Sequence, residues 1–196
     1  MQRLLLPWLA AQVLACGDPP KAMPEIPLPP PPPAPCVALP PIVGPVGRNG
    51  GTLTLDGQPF RALGANVYYL QQMFAYDELG MGWAAAQART ALDAMVCLSM
   101  NVVRLWAFND STDSSSIRRA PGIYSASGLR GLDRAVAEAK GRGLRVILTL
   151  VNGGVDYGGL GAYAAWNDPA TMPMAERFYR EPAIRQYWKD YASMLV

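Results

Sequence analysis

Three short groups of side chains stand out as able to do chemistry: Asn66, Tyr68 and Tyr69; Trp106, Asn109 and Asp110; and Asn152, Asp156 and Tyr157. Flat aromatic rings stack on the C–H faces of pyranoses, while carboxamides and carboxylates hydrogen-bond hydroxyls, so together these types describe a carbohydrate site. Taken singly, each is better read as a loop residue or a core aromatic; it is their joint appearance that points to a site. The decapeptide "NVVRLWAFND", residues 101–110, adds Arg104 inside a run that begins like a buried strand. A guanidinium there is costly unless a carboxylate and other acceptors meet it, so an acidic partner is expected from elsewhere in the protein.

Other chemistries are excluded by composition. The chain has no histidine, which removes a histidine-based triad, an imidazole-ligated metal and an imidazole pH switch. Any acid or base must be a carboxylate, tyrosine, lysine or cysteine. No metal or other cofactor is expected. A net charge of +2, with no basic run interleaved with aromatics, argues against nucleic acid as a partner. The three cysteines, Cys16, Cys36 and Cys97, lack metal-ligand spacing. A Cys36–Cys97 disulfide is open to the sequence, with a packed thiol on an apolar helix the expectation for Cys97.

The elements that would position these groups follow from periodicity. "TLTLDGQPFRALGAN" alternates on either side of Asp56-Gly57, a dipeptide suited to a tight hairpin turn, and leads into an apolar strand ending at Asn66. Residues 83–99 place Ala84, Ala88, Ala91, Leu92, Met95 and Leu98 at helical spacing, and "NVVRLWAF" is a second strand. Leu129, Leu132, Val136 and Ala139 share one face of a second helix, which Gly141 and Gly143 end; "LRVILTLV" is a third strand. A last helix is expected over 182–196, with Pro182 in its first turn. Alternating helices and apolar strands predict an α/β fold with a parallel sheet covered on its faces. In such folds ligands gather at the carboxyl ends of the strands, where the three groups fall.

Upstream, "MQRLLLPWLAAQVLAC" reads as an export signal too short to span a bilayer, and its close resembles a lipoprotein box that would make Cys16 the acylated N-terminus and tie the chain to a membrane. From Pro19 to Pro45 lie thirteen of the 19 prolines, so 17–47 is expected to be an extended spacer. The domain plan is therefore a signal over 1–16, a linker over 17–47 and a folded part over 48–196.

"GANVYYL", "NVVRLWAFND", "APGIYSASGLRGLDRAVAEAKGRGLRVILTLVN" and "DYGGLGAYAAW", in this order, resemble the front half of glycoside hydrolase family 5 endo-β-1,4-mannanases. The resemblance implies a (β/α)8 TIM barrel and retaining hydrolysis of β-mannan by two glutamates. It assigns Arg104 the task of bonding the nucleophile's carboxylate and keeping it ionised. It further implies substrate contacts from Asn66, Tyr68, Tyr69, Trp106, Asn152, Asp156, Tyr157 and Trp166. Gly153 and Gly154 stand where the family has a second asparagine and a stacking aromatic. Neither catalytic glutamate is found: Glu25 lies in the spacer, Glu78 in a loop, Glu138 on a helix, and Glu176 and Glu181 before the last helix. Asp110 and Asp156 lie at the correct face for a replacement pair, but in the matching motifs such aspartates read as structural. Arg48 to Val196 is 149 residues against the roughly 250 of such a barrel. The expectation is thus an incomplete barrel, three strand-helix units preceded by a small hairpin. A noncatalytic carbohydrate-binding lipoprotein and a family 5 β-glucanase stay open as alternatives.

Overall fold

The structure, a computed structural model, describes residues 36–168 and 175–195. A small antiparallel sheet comes first, built from β1 (Gly47–Asn49), β2 (Thr52–Leu55) and β3 (Gln58–Pro59). Asp56 and Gly57, both at positive φ, turn β2 into β3. The central sheet is parallel: β4 (Gly64–Asn66), β5 (Val102–Trp106) and β8 (Arg145–Thr149), in the order β4-β5-β8. A two-stranded excursion, β6 (Arg118–Ala120) with β7 (Ile123–Tyr124), follows β5. The helices are α1 (Leu70–Glu78), α2 (Gly82–Cys97), α3 (Ala126–Gly141), α4 (Gly159–Asn167), α5 (Ala175–Arg180) and α6 (Pro182–Leu195).

Period-two alternation gives the central sheet two unlike faces. Ala65, Val103, Leu105 and Val146 point one way and join a core with Leu70, Phe74, Leu92, Met95, Leu132 and Ala135 from α1, α2 and α3. Each fully enclosed Leu or Phe there contributes about 1.5–3 kcal/mol. On the other face, register places Asn66 beside Arg104, Arg104 beside Ile147, and Trp106 beside Thr149. This face differs from the expected covered sheet. Ile147 on it is 52% exposed; Leu148, on the core-side face, is still 39% exposed, because β8 has a strand neighbour on one side only among the described residues.

Sequence periodicity missed α1, so Glu78, expected in a loop, is that helix's last residue. It accepts from Arg130 at 2.8 Å and Arg134 at 2.8 Å, fastening α1 to α3. Glu138 of α3 likewise binds Arg89 of α2 at 2.7 Å.

The amino-terminal side of the sheet holds two further corrections. Cys97 is not a packed free thiol: it closes a disulfide with Cys36, sixty-one residues earlier. The last part of the expected spacer, residues 36–46, is laid against the domain rather than standing clear of it. Leu39 packs on the core. Gly143, at φ +77°, lets the strap pass close by, since a Cβ there would sit 2.7 Å from the Pro40 carbonyl oxygen and 2.8 Å from Leu39 Cβ. Arg145 donates to the Gly44 carbonyl at 3.0 Å and stands over the Phe60 ring at 5.5 Å.

Candidate functional site

At the carboxyl ends of β4, β5 and β8 the loops carry aromatic rings into one cluster. Tyr68 lies 4.9 Å from Trp106, 5.3 Å from Tyr69 and 6.2 Å from Tyr157, measured between ring centroids. Trp106 meets Tyr157 edge-on at 5.2 Å and stacks on Phe108 at 5.0 Å. Its Nε1–H is enclosed and has no partner among the described residues. Four expected substrate contacts, Tyr68, Tyr69, Trp106 and Tyr157, are therefore brought together, and Tyr68 remains 40% exposed.

Beside this cluster Arg104 projects from the uncovered face of the sheet, half-buried, and donates through Nη1 to Asn66 Oδ1 at 2.8 Å. The Asn66 carboxamide neutralises no charge. Among the described residues Arg104 makes no ion pair, which leaves a cation with unused donors on the open face of the sheet.

A hydrogen-bonded train backs the aromatic cluster. The Tyr157 hydroxyl donates to Gln72 Oε1, Gln72 Nε2 donates to the Tyr76 hydroxyl at 3.1 Å, and Tyr76 donates to Asp113 at 3.1 Å. Burial, together with the neighbouring Tyr68, pushes the Tyr157 phenol up to about 12. Burial also works to raise Asp113, but hydrogen bonds from Ser115, Tyr76 and Ser114 outweigh it and hold the carboxyl below its ordinary range.

The remaining expected contacts are placed elsewhere. Asn152 turns into its own loop, donating to the Asp156 carbonyl at 3.3 Å, while its backbone carbonyl accepts from Leu160. Asp156 is an exposed residue of that loop. Trp166 belongs to a second cluster with Tyr163, Phe178 and Trp188, because α4 carries it away from the sheet ends and onto α5 and α6.

Asp110 is buried and cannot act as a catalytic acid facing solvent. Arg118 grips it with two bonds, Nε to Oδ1 at 3.0 Å and Nη2 to Oδ2 at 2.9 Å. Burial pushes the Asp110 carboxyl up to about 6 even with this guanidinium against it. Arg118 also donates to the Tyr163 hydroxyl and lies over the rings of Tyr191 at 4.0 Å and Trp166 at 5.2 Å. Sequence reasoning missed Arg118, although an aspartate at a strand end and an arginine in the following loop were a usable signal. The pair stiffens the loop after β5, and Tyr191 of α6 adds a bond to the Ala107 carbonyl.

Parallel strands backed by helices, with aromatics at their carboxyl ends and a cation on the open face that makes no ion pair among the described residues, define an α/β fold of the kind carried by barrel glycosidases. Solved structures agree: the endo-1,4-beta-mannanase of Rhizomucor miehei matches with a TM-score of 0.61 and 27% identity, over 76% of this chain and 40% of that one. A hyperthermostable endo-1,4-beta-D-mannanase from Thermotoga petrophila matches at 0.57 and 26%, over 70% of this chain and 38% of that one. The model of the GH family 5 beta-mannosidase-like proteins matches residues 45–195, and the chain belongs to that family. Among curated relatives, mannan endo-1,4-beta-mannosidase 1 of Arabidopsis thaliana is 34% identical over 82% of this chain and 37% of its own length. Mannan endo-1,4-beta-mannosidase 2 of Oryza sativa subsp. japonica is 36% identical over 77% of this chain and 33% of its own. The chain thus spans a little over a third of the relatives it matches.

Proposed function

We propose that this chain supplies the first three strand-helix units of an exported β-1,4-mannanase, a retaining glycoside hydrolase of plant polysaccharide. The observation that carries the reading is Arg104: within a family 5 chain whose relatives are named as mannanases, its guanidinium stands beside Asn66 at the end of β4, two residues before Trp106, and makes no ion pair among the described residues. In the proposed reaction Arg104 receives the nucleophile's carboxylate and keeps it ionised, as a cation beside an acid does. Tyr68 and Trp106 stack against the sugar, and Asn66 holds Arg104 in place. Both catalytic glutamates come from outside this sequence. In support, Glu78 and Glu138 are spent on ion pairs between helices, and Glu181 on Arg177. Export, acylation of Cys16 and tethering through a proline-rich segment complete the proposal; those residues lie outside the described ones.

Titrating the chain with mannohexaose while following tryptophan fluorescence tests the sugar assignment. The expected outcome is a saturable change that Trp106→Phe abolishes and that cellohexaose reproduces only weakly. An equal or stronger response to cellohexaose would favour the β-glucanase reading instead.

A further inference from the structure

The strap over residues 36–46 crosses the sheet at the end opposite the aromatic cluster. Three independent contacts hold it there. Cys36 is bonded to Cys97, the last residue of α2. Leu39 and Pro40 pass over Gly143, just ahead of β8, at a distance that leaves no room for a side chain. Arg145, the first residue of β8, donates to the carbonyls of Gly44 at 3.0 Å and Val43 at 3.4 Å. Leu39, Pro40, Pro41 and Ile42 also line a cavity with Phe60 and Asn101, so the strap roofs the amino-terminal ends of β5 and β8. Most of the strap nonetheless remains exposed, with Val37 83% and Val43 61% accessible, so noncovalent burial alone gives it little hold.

We infer that the Cys36–Cys97 pair is a redox-dependent clasp that closes this strap over the base of the sheet only in an oxidising compartment. Cytosolic thiols stay reduced, whereas exported proteins form disulfides, so the clasp shuts on export. In closing, the two thiols give up two electrons and two protons to the disulfide of an export-compartment thiol oxidoreductase, which leaves as a dithiol. Three cysteines allow three pairings; acylation of Cys16 leaves only the one seen. The compartment rests on the exported reading proposed above, while the clasp itself rests on the geometry and needs no mannan. With the clasp shut, Cys36 is pinned at the base of the sheet and fixes where the chain enters the domain. When it opens, that attachment point slips to β1.

Limited thermolysin digestion of the full chain, read by mass spectrometry, tests the clasp. The oxidised chain should resist cutting within 37–46. Reduction under native conditions should accelerate cleavage there at least tenfold, while β5 and α3 stay intact. Cys36→Ser/Cys97→Ser should behave like the reduced chain without reductant, its Tm lower by about 5–15 °C. If the double variant fails to fold, the reduced wild-type chain carries the comparison. Equal cleavage of the strap in both redox states would overturn the clasp. Thiol trapping in intact cells tests the compartment separately: Cys36 and Cys97 should escape alkylation in the mature protein, and free thiols at both positions would overturn closure on export.

Discussion

At the scale of single residues, the two arginines of this region solve opposite problems. Arg118 is sealed from solvent and matched by Asp110, Tyr163 and three aromatic faces, whereas Arg104 is half-buried and, among the described residues, matched only by a neutral carboxamide. Replacing Arg118 strands a buried carboxylate, and breaking such a pair costs about 3–5 kcal/mol. Arg118→Met should therefore lower the urea midpoint strongly at pH 7.5. The pH dependence has a definite sign. Asp110 already titrates near 6, above its ordinary value, so its contribution is present at low pH and lost as pH rises through that value. Without Arg118 the carboxyl rises further, and the variant's deficit should shrink as pH falls below 6. Asp110→Leu with Arg118→Met should recover most of the loss, and a deficit independent of pH would contradict this account.

At the scale of elements, the loop after β8 is the tightest join. Tyr157, Gly158 and Gly159 lie consecutively at positive φ, and the Tyr157 carbonyl accepts from the Asp110 N–H at 2.8 Å. A Cβ on Gly158 would stand 2.7 Å from the Asp110 carbonyl oxygen, so Gly158→Ala should cost about 2 kcal/mol or more and free the Tyr157 ring. A thermal melt measures the first effect and near-ultraviolet circular dichroism the second. The same loop shows what the sequence could and could not disclose. Strands β5 and β8 and helices α2, α3 and α6 were legible because each has a continuous apolar run or stripe. Helix α1 was not, since "LQQMFAYDE" buries Gln71 alongside Leu70 and Phe74 and so breaks the apolar pattern. The meeting of Tyr68, Trp106 and Tyr157 followed from parallel topology, which puts every strand's carboxyl end on one side. The departures of Asn152 and Trp166 depend on loop paths that periodicity does not encode. The disulfide depends on a strap whose prolines and small apolar residues read as free spacer.

At the scale of the whole molecule, three parallel strands leave one face uncovered; in the proposed reading they are part of a cylinder, and the cation on that face stands where its axis would run. The central claim is that Arg104 serves a carboxylate brought by strands outside this sequence. The direct measurement is reducing-sugar release from β-mannan by this chain alone and by this chain joined in frame to the remaining strand-helix units of a mannanase relative. The account predicts no turnover from the chain alone, turnover from the joined protein, and a loss of at least about 100-fold there with Arg104→Met. Turnover by the chain alone that disappears with Asp110→Ala or Asp156→Ala would contradict it.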